Sequence, residues 1–433
     1  RWFVEKMGIV YIKLAQILAM QNYGTLFTEK DRVELSSICD NCNPIPYSKI
    51  VHIIEEEYQC KISDMFQKVY EKPIGSASIS QVHKAILKNG KEVAIKVKRT
   101  DITARLEKDI RQIRRIIYRF GKYVKFKNYL ASDVALSLYL DWIHEEIDFV
   151  HEKNNILKYH EFAKSVNGKI EGTISIKVPY VYKKMCTKNI IVMEYISSKT
   201  INKMELSENN KKMIGRAIND YIQLSFWALF HGEAVTFHGD PHGGNLYIDK
   251  EGNIGFLDMG LVFSFTKEEA EFIKKLFFNA YNNNYEKLTS LLLEGSACSG
   301  INREGLKAEI NQCCKDFKKI PVTTFFVNMV NLFTTHNVDP PHVVYKMVKT
   351  FIALNGINQF TGNDSNTEEI LLKQIIEYYI NRTMSDFDDI MRSGIKVLPN
   401  FIKNTIQKGK RAKNKEIRTV TKGHDGGNEG AGQ

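Results

Sequence analysis

His238-Gly-Asp-Pro-His-Gly-Gly-Asn245, with Asp258-Met-Gly260 starting 13 residues beyond Asn245, is the stretch on which the reading of this chain turns. Between the two lies a short hairpin pattern, Leu246–Leu257, whose Asp249–Asn253 connection is rich in turn formers. Transfer of a phosphoryl group from a nucleotide asks a protein mainly for positioned charge. Asp240 is placed to lie near an acceptor hydroxyl or water. Asn245 and Asp258 offer a carboxamide and a carboxylate, hard oxygen donors of the kind that hold magnesium against phosphates. Taken singly, Asp and Asn beside glycine are ordinary turn residues; the joint spacing is what points to chemistry.

Working upstream, Val93-Ala-Ile-Lys96 puts a lysine on a strand, where it can neutralise the phosphates of a nucleotide. Before it, Pro73-Ile-Gly-Ser-Ala-Ser78 opens a hairpin, and Gly75, Ser76, Ala77 and Ser78 are small enough to let backbone amides approach phosphate oxygens. A buried lysine needs an anionic partner, and Glu145, Asp148 and Glu152 stand three and four residues apart, the spacing of one helical face. Val192-Met-Glu-Tyr-Ile196 has the form of a strand running into a hinge. There Met193 lines the back of a base pocket, and the backbone at Glu194 and Ile196 faces an adenine ring. The whole order, small-residue loop, strand lysine, Asp-x-x-x-x-Asn, hairpin and Asp-x-Gly, matches the kinase pattern. The expected fold class is α+β: bilobal and protein-kinase-like, with a small antiparallel sheet in the first lobe and helices in the second.

Periodicity fills in the remainder. Val10, Leu14, Ile17 and Leu18 follow one helical face, and Asn43-Pro-Ile-Pro46 interrupts it. Strands are expected at 69–74, 80–87 and 91–98, with Asn89-Gly90 as a type I′ turn signal, and again at 175–182 and 189–196. Helices dominate from about residue 209. Thr266-x-x-Glu269 is a capping box, and Asp339-Pro-Pro341 opens a further helix. The expected organisation is an N-terminal helical extension (1–68), a kinase-like first lobe with a helical insertion (69–196), a helical second lobe (197–360), C-terminal helices (361–408) and a disordered basic, glycine-rich tail (409–433).

The 433 residues are 43% hydrophobic and 26% charged, which excludes wholesale disorder. Uncharged stretches such as Tyr221–Gly232 fall short of the roughly 20 residues of a membrane-spanning helix. Lys plus Arg total 61 against 50 Asp plus Glu, a net +11, and the excess is local: residues 96–127 carry twelve cations and three anions. Such blocks suit phosphate ligands or anionic lipid. Nucleic acid is not expected, because no reading motif accompanies the charge. Seven scattered cysteines favour a reducing compartment, and Cys39-x-x-Cys42 has no second ligand pair at zinc spacing. The chain opens on Arg1, so a preceding segment is expected.

These residues resemble the UbiB/ADCK family of atypical kinase-like proteins, some of which support coenzyme Q biosynthesis. The likeness rests on Lys13-Leu-Ala-Gln16, on Pro73 to His83 with its Ser-x-x-Gln-Val-His strand, on Val93 to Lys96, on Glu146-Ile-Asp148 with Glu152 and Asn155, and on His238 to Asn245 with Asp258-Met-Gly260. The resemblance implies that Lys96 pairs with Glu152, and that Gly75–Ser78 stands in for the glycine-rich loop. It also implies that Lys13 and Gln16 lie on a helix across the active site, where they obstruct protein substrates. Lys96, Asp240 and Lys13 are then the catalytic candidates. ATP or ADP and Mg2+ are the implied cofactors, and a lipid or quinone precursor, a membrane surface and enzymes of quinone biosynthesis the implied partners. A peripheral membrane location follows, on the matrix side in mitochondria or the cytoplasmic face of a bacterial inner membrane. Here Ala15 replaces the motif glycine and Met259 the phenylalanine of Asp-Phe-Gly. Two other readings stay open: a small-molecule phosphotransferase of the aminoglycoside or choline kinase type, and a nucleotide-gated lipid-binding or assembly module.

Overall fold

The computed structural model of the chain describes residues 44–120, 144–296, 303–359 and 367–385, apart from short breaks at 101, 146, 206, 233–234, 295 and 337. Lys13, Gln16, Glu146, the extension over residues 1–43 and the tail beyond 385 lie outside the described residues.

Two helices, α1 (Tyr47–Tyr58) and α2 (Ile62–Met65), lead into β1 (Phe66–Ser76), β2 (Ser80–Leu87) and β3 (Glu92–Lys98). With β5 (Ile190–Glu194) these strands form an antiparallel sheet in the order β1-β2-β3-β5. Strand alternation assigns its two faces. Val93, Ile95, Val97, Ile190 and Val192 pack with Phe66, Ala85 and Leu87 under Ile50 and Ile54 of α1. Ala94, Ile191 and Met193 point the other way and join the large core of the second lobe. Lys96 shares that inner face, opposite Val82 on β2 and Ile191 on β5.

After β3 come α3 (Ile102–Phe120) and α4 (Phe149–Val166). Helix α4 begins where Asp148 accepts from the Val150 and His151 N–H groups at 2.8 and 3.1 Å, a regular N-cap. This corrects the single acidic stripe read over Glu145, Asp148 and Glu152, because the cap starts α4 between its members and only Glu152 lies within α4.

The second lobe is built on α5 (Glu208–His231), followed by β6 (Val235–His238), β7 (Leu246–Ile248), β8 (Ile254–Phe256) and β9 (Val262–Phe265). Strands β6 and β9 pair antiparallel, and β7 and β8 form the hairpin expected between Asn245 and Asp258. Helices α6 (Lys267–Tyr281), α7 (Tyr285–Glu294), α8 (Arg303–Lys315), α9 (Val322–Thr335), α10 (His342–Gln359) and α11 (Thr367–Ser385) complete it. Phe226, Phe230, Phe277, Phe326 and Phe351 interlock at their centre. The Thr266–Glu269 capping box of α6 forms as read, with both reciprocal hydrogen bonds.

Three local expectations are revised. The strand read over 175–182 shrinks to β4 (Ile176–Lys177), which pairs parallel with β8. Pro179 supplies no ladder N–H, and beyond it Val181 makes only an isolated bridge to Met193. At the β2–β3 turn only Gly90 takes positive φ (81°), and Leu87 N–H reaches Lys91 O. The connection is therefore a three-residue loop closed by a left-handed glycine, not a type I′ turn. Finally, Gly75 and Ser76 belong to β1, paired with Val82 and Gln81. The phosphate-facing connection thus contracts to residues 77–79.

Candidate active site

The two lobes meet at Lys96. Its ammonium donates to both oxygens of Glu152, at 2.6 and 2.8 Å, and to Oδ2 of Asp258 at 2.9 Å. Lys96 comes from β3, Glu152 from α4 and Asp258 from the end of the β7–β8 hairpin, so three separate elements converge on one cation. Lys96 and Glu152 are buried, whereas the Asp258 side chain keeps 42% of its surface open to the cleft. A lysine this deep survives as a charge only because it is paired. Burial alone would lower its pKa, but Asp258 and Glu152 together raise it above the ordinary lysine value.

The two carboxylates divide unequally. Burial of Glu152, reinforced by the negative charge of Asp258, outweighs the pull of Lys96 and raises its pKa to about 7. Asp258 also resists ionisation through burial, yet Lys96 and the Gly260 N–H, which donates to Oδ1 at 2.8 Å, hold it well below the usual carboxylate range. Asp258 is the anion that persists at every physiological pH.

The His238–Asn245 loop is fixed from within. The His238 ring is buried and stacked on Phe256, with centroids 4.7 Å apart. Its Nε2 lies 2.6 Å from the Asp258 carbonyl, and its Nδ1 accepts from the Asp240 N–H at 3.1 Å. One nitrogen must donate and the other accept, which defines a neutral ring protonated at Nε2. Burial likewise lowers the pKa of His238. One imidazole thus ties the backbone of Asp240 to that of Asp258. Gly239 permits the close approach: a Cβ there would lie 2.6 Å from Leu261 Cγ and 3.0 Å from the Leu261 carbonyl. Asn245 donates from Nδ2 to the Asp240 carbonyl at 3.3 Å, and its own carbonyl accepts from Leu257 N–H at 2.8 Å.

Among the described residues no group of three His, Cys, Asp or Glu side chains forms a metal cage. Asn245 Oδ1 has no protein partner among the described residues, and the Asp258 carboxylate stands open to the cleft. That pair of hard oxygens fits Mg2+, which ordinarily takes one or two protein oxygens and completes its shell with water and phosphate.

Around this centre, Ala77 N–H donates to Ser80 O at 2.9 Å, closing the turn that follows Ser76. A Cβ at Gly75 would meet nothing nearer than Val82 Cβ at 4.0 Å, so this glycine answers no steric demand of the protein itself. Met193 is buried beside Ala94 on the inner face of the sheet. Glu194 N–H donates to Tyr180 O at 2.7 Å, and its carboxylate accepts from Tyr180 N–H at 3.1 Å. Ile196 follows, half-buried, beyond the end of β5. The structure therefore brings together Lys96, Glu152 and Asp258, links Asp240 and Asn245 to them through His238, and arrays Gly75–Ser78, Met193, Glu194 and Ile196 on the first lobe. Lys13 lies outside the described residues.

Several residues that shape the site were not singled out as site residues. Asn155, one turn after Glu152, is buried and donates to the Met259 carbonyl at 3.0 Å. Tyr159 and Tyr221, both fully buried, join hydroxyls at 3.0 Å, and Tyr221 Oη accepts from the His238 N–H at 3.2 Å. Arg99 donates to the Ala77 carbonyl and to Ser76 Oγ. The signal in each case is slight: a polar residue on the inner face of a helix, or a cation just past a strand.

Comparison with known proteins bears on this geometry. A family model described as the ABC1 atypical kinase-like domain matches residues 37–292, more than half of the chain. The chain is 26% identical over 416 residues to an uncharacterized protein in the hydrogenase 1 5′ region of Clostridium pasteurianum, covering 93% of this chain and 74% of that one. It is also 26% identical over 370 residues to a probable protein kinase UbiB of Sodalis glossinidius, covering 83% of this chain and 66% of that one. Among solved structures, the complex of Rv3197 with erythromycin from Mycobacterium tuberculosis aligns with a TM-score of 0.48 at 18% identity, over 83% of this chain and 86% of that one.

Proposed function

Because the chain belongs to the ABC1 atypical kinase-like family, we propose that it is an Mg-ATP-dependent ATPase or phosphotransferase, acting at a membrane surface in support of coenzyme Q or related isoprenoid-lipid metabolism. The observation that carries the catalytic half of this reading is the buried Lys96, shared between Glu152 and Asp258 across the two lobes. Bound Mg-ATP supplies the transferable γ-phosphoryl group and the divalent charge that offsets its oxygens.

In this reading Lys96 leaves Asp258 to meet the phosphates, while Glu152 keeps the ammonium in place. Asn245 Oδ1 and the Asp258 Oδ2 that Lys96 has left would hold the cation. Asp240, its backbone fixed by His238, orients the attacking hydroxyl or water. The 77–79 turn would lie over the phosphates, Ala94 and Met193 would bracket the base, and the backbone at Glu194 and Ile196 would read its edge. The Glu194 N–H is already engaged by the Tyr180 carbonyl and the Tyr195 N–H by the Glu92 carbonyl, so neither of these donors is the one that meets the base. Lys13 enters by family resemblance alone. No helix among the described residues is long and apolar enough to cross a membrane; basic patches are the proposed contact with the membrane surface. A lipid or quinone precursor and the enzymes that process it are the proposed partners.

The test is magnesium-dependent ATP hydrolysis by the purified chain, with and without anionic liposomes, beside Asp240→Asn and Asp258→Asn. Hydrolysis should rise with liposomes and fall at least a hundredfold in both variants, on the order of the loss of a principal electrostatic group. Asp258→Asn should also abolish the magnesium dependence of nucleotide binding, and unchanged binding there would remove the metal assignment.

A further inference from the structure

Gln81 sits at the centre of a hydrogen-bond set outside the nucleotide cleft. It is fully buried on the α1-facing side of β2, and its amide meets the backbone of one residue from both sides. Ile45 N–H donates to Gln81 Oε1 at 2.8 Å, and Gln81 Nε2 donates to Ile45 O at 3.1 Å. The second Nε2 hydrogen goes to His83 Nε2 at 2.9 Å. His83, also fully buried, donates in turn from Nδ1 to Tyr70 O at 2.9 Å. Gln81 Oε1 also accepts from Ser76 Oγ at 3.4 Å. Every hydrogen-bonding position of the amide that this geometry can fill is filled, which fixes its orientation.

Both ends of this set matter. Ile45 lies between Pro44 and Pro46, and proline has no N–H. The Ile45 amide is therefore the single backbone donor of that tripeptide, and Gln81 takes it. The ring constraints of the two prolines make the tripeptide stiff and extended, so pinning its middle residue pins the whole. The start of α1 is docked on the same face, with the Tyr47 and His83 rings 5.8 Å apart. At the other end, Ser76 Oγ accepts from Arg99 Nη2 at 2.8 Å, and Arg99 Nε donates to the Ala77 carbonyl at 2.9 Å. An unbroken chain of hydrogen bonds thus runs from Ile45 through Gln81, Ser76 and Arg99 to the turn at residues 77–79.

We propose that Gln81 is a positioning residue that couples the Pro44-Ile45-Pro46 segment to the nucleotide-facing turn, so that a displacement of either is felt by the other. The consequence for the reaction rests on the function proposed above; the coupling itself does not. Ser76 is the joint, because removing its hydroxyl cuts the link from the Gln81 side chain to Arg99 and the turn and leaves the Gln81–Ile45 and Arg99–Ala77 bonds and the backbone pairing of Ser76 with Gln81 in place.

The experiment is amide hydrogen exchange on the full chain and on Ser76→Ala and Gln81→Leu, each without ligand and with magnesium plus a non-hydrolysable ATP analogue. Without ligand, Gln81→Leu should exchange roughly tenfold faster at both Ile45 and Ala77, and Ser76→Ala faster at Ala77 alone, each on the scale of one lost buried hydrogen bond. With the analogue held at a saturating concentration for each protein, the parent chain should gain protection at Ile45, and Ser76→Ala should lose that gain. A Gln81→Leu chain with faster Ile45 and unaltered Ala77 overturns the coupling, as does a Ser76→Ala chain whose Ile45 still responds to nucleotide. Ser76 is only partly buried, so its variant decides the matter even if Gln81→Leu does not fold. An analogue that alters exchange nowhere in the parent chain counts against the nucleotide reading, and the ligand-free comparison still decides the coupling.

Discussion

Lys96 carries one positive charge between two carboxylates, and the imbalance falls on Glu152. Its pKa is raised in the folded chain, chiefly by burial. The folded state therefore binds more protons than the unfolded state between the ordinary glutamate range and neutrality. The sign follows from linkage: the contribution of Glu152 to stability is full below its unfolded pKa and is lost as pH rises through its folded one. Glu152→Gln has no such titration. Thermal unfolding of both proteins between pH 5 and pH 7.5 should show the parent losing ground to the variant as pH rises, and a constant difference would contradict the assignment. Lys96 and Asp258 could be read from sequence, because a lysine on a strand and an Asp-x-Gly after a hairpin are each tied to a local pattern; spacing left Glu145, Asp148 and Glu152 as rival partners, and only the family resemblance singled out Glu152. What could not be read is which carboxylate yields. That depends on Asp258 standing open to the cleft while Glu152 is sealed, a property of the assembled lobes.

Helix α4 is held by more than its ion pair. Asn155 bonds the Met259 carbonyl, Tyr159 bonds Tyr221, and Phe149, Ile156, Phe162 and Val166 are buried in the large core. The helix bearing Glu152 is thereby rooted in the second lobe although it serves a lysine of the first. Asn155→Leu leaves the Met259 carbonyl without its donor, and should cost about 1–3 kcal/mol. Tyr159→Phe, which removes a single hydroxyl, should cost nearer 1 kcal/mol by chemical denaturation. Equal effects would mean that the tyrosine pair matters as much to the helix as the contact beside Asp258. Asn155 was quoted for the family resemblance but with no role, and the tyrosine pair was not legible as a site feature, since a polar residue inside a helix has no pattern until its partner is known. The acidic stripe was misread for a related reason. Asp148 has the right spacing for a helical face and the right chemistry for a cap, and the cap prevailed because it satisfies two backbone donors at once. Strand 175–182 failed at Pro179, a residue whose missing N–H could have been weighed in advance. The capping box at Thr266, by contrast, needs only residues three apart and was read correctly.

Across the whole molecule, the first-lobe sheet is covered on one side by α1 and on the other by the core of the second lobe. Ile54, fully buried on the sheet-facing side of α1, belongs to the smaller cluster alone. Ile54→Ala should destabilise by about 2–5 kcal/mol, with amide exchange rising across β1–β3 and α1 and remaining unchanged in α5 and α6. Uniform loosening would show that the two cores unfold as one. The two-lobed plan itself was visible in the sequence, since strand-period and helix-period patterns fall in separate regions; the docking of α1 was not, because nothing in its amphipathic pattern names the surface it covers. The bond from Lys96 to Asp258 joins the lobes. A phosphate that recruits the ammonium frees the carboxylate for a cation, and a cation that recruits the carboxylate frees the ammonium for a phosphate. The two ligands are then thermodynamic allies, and reciprocity requires equal factors in both directions. Nucleotide affinity measured at low and high free magnesium, and magnesium affinity measured at low and high nucleotide, should rise by the same multiple, and Lys96→Met should shrink that multiple toward what direct cation–phosphate contact alone supplies.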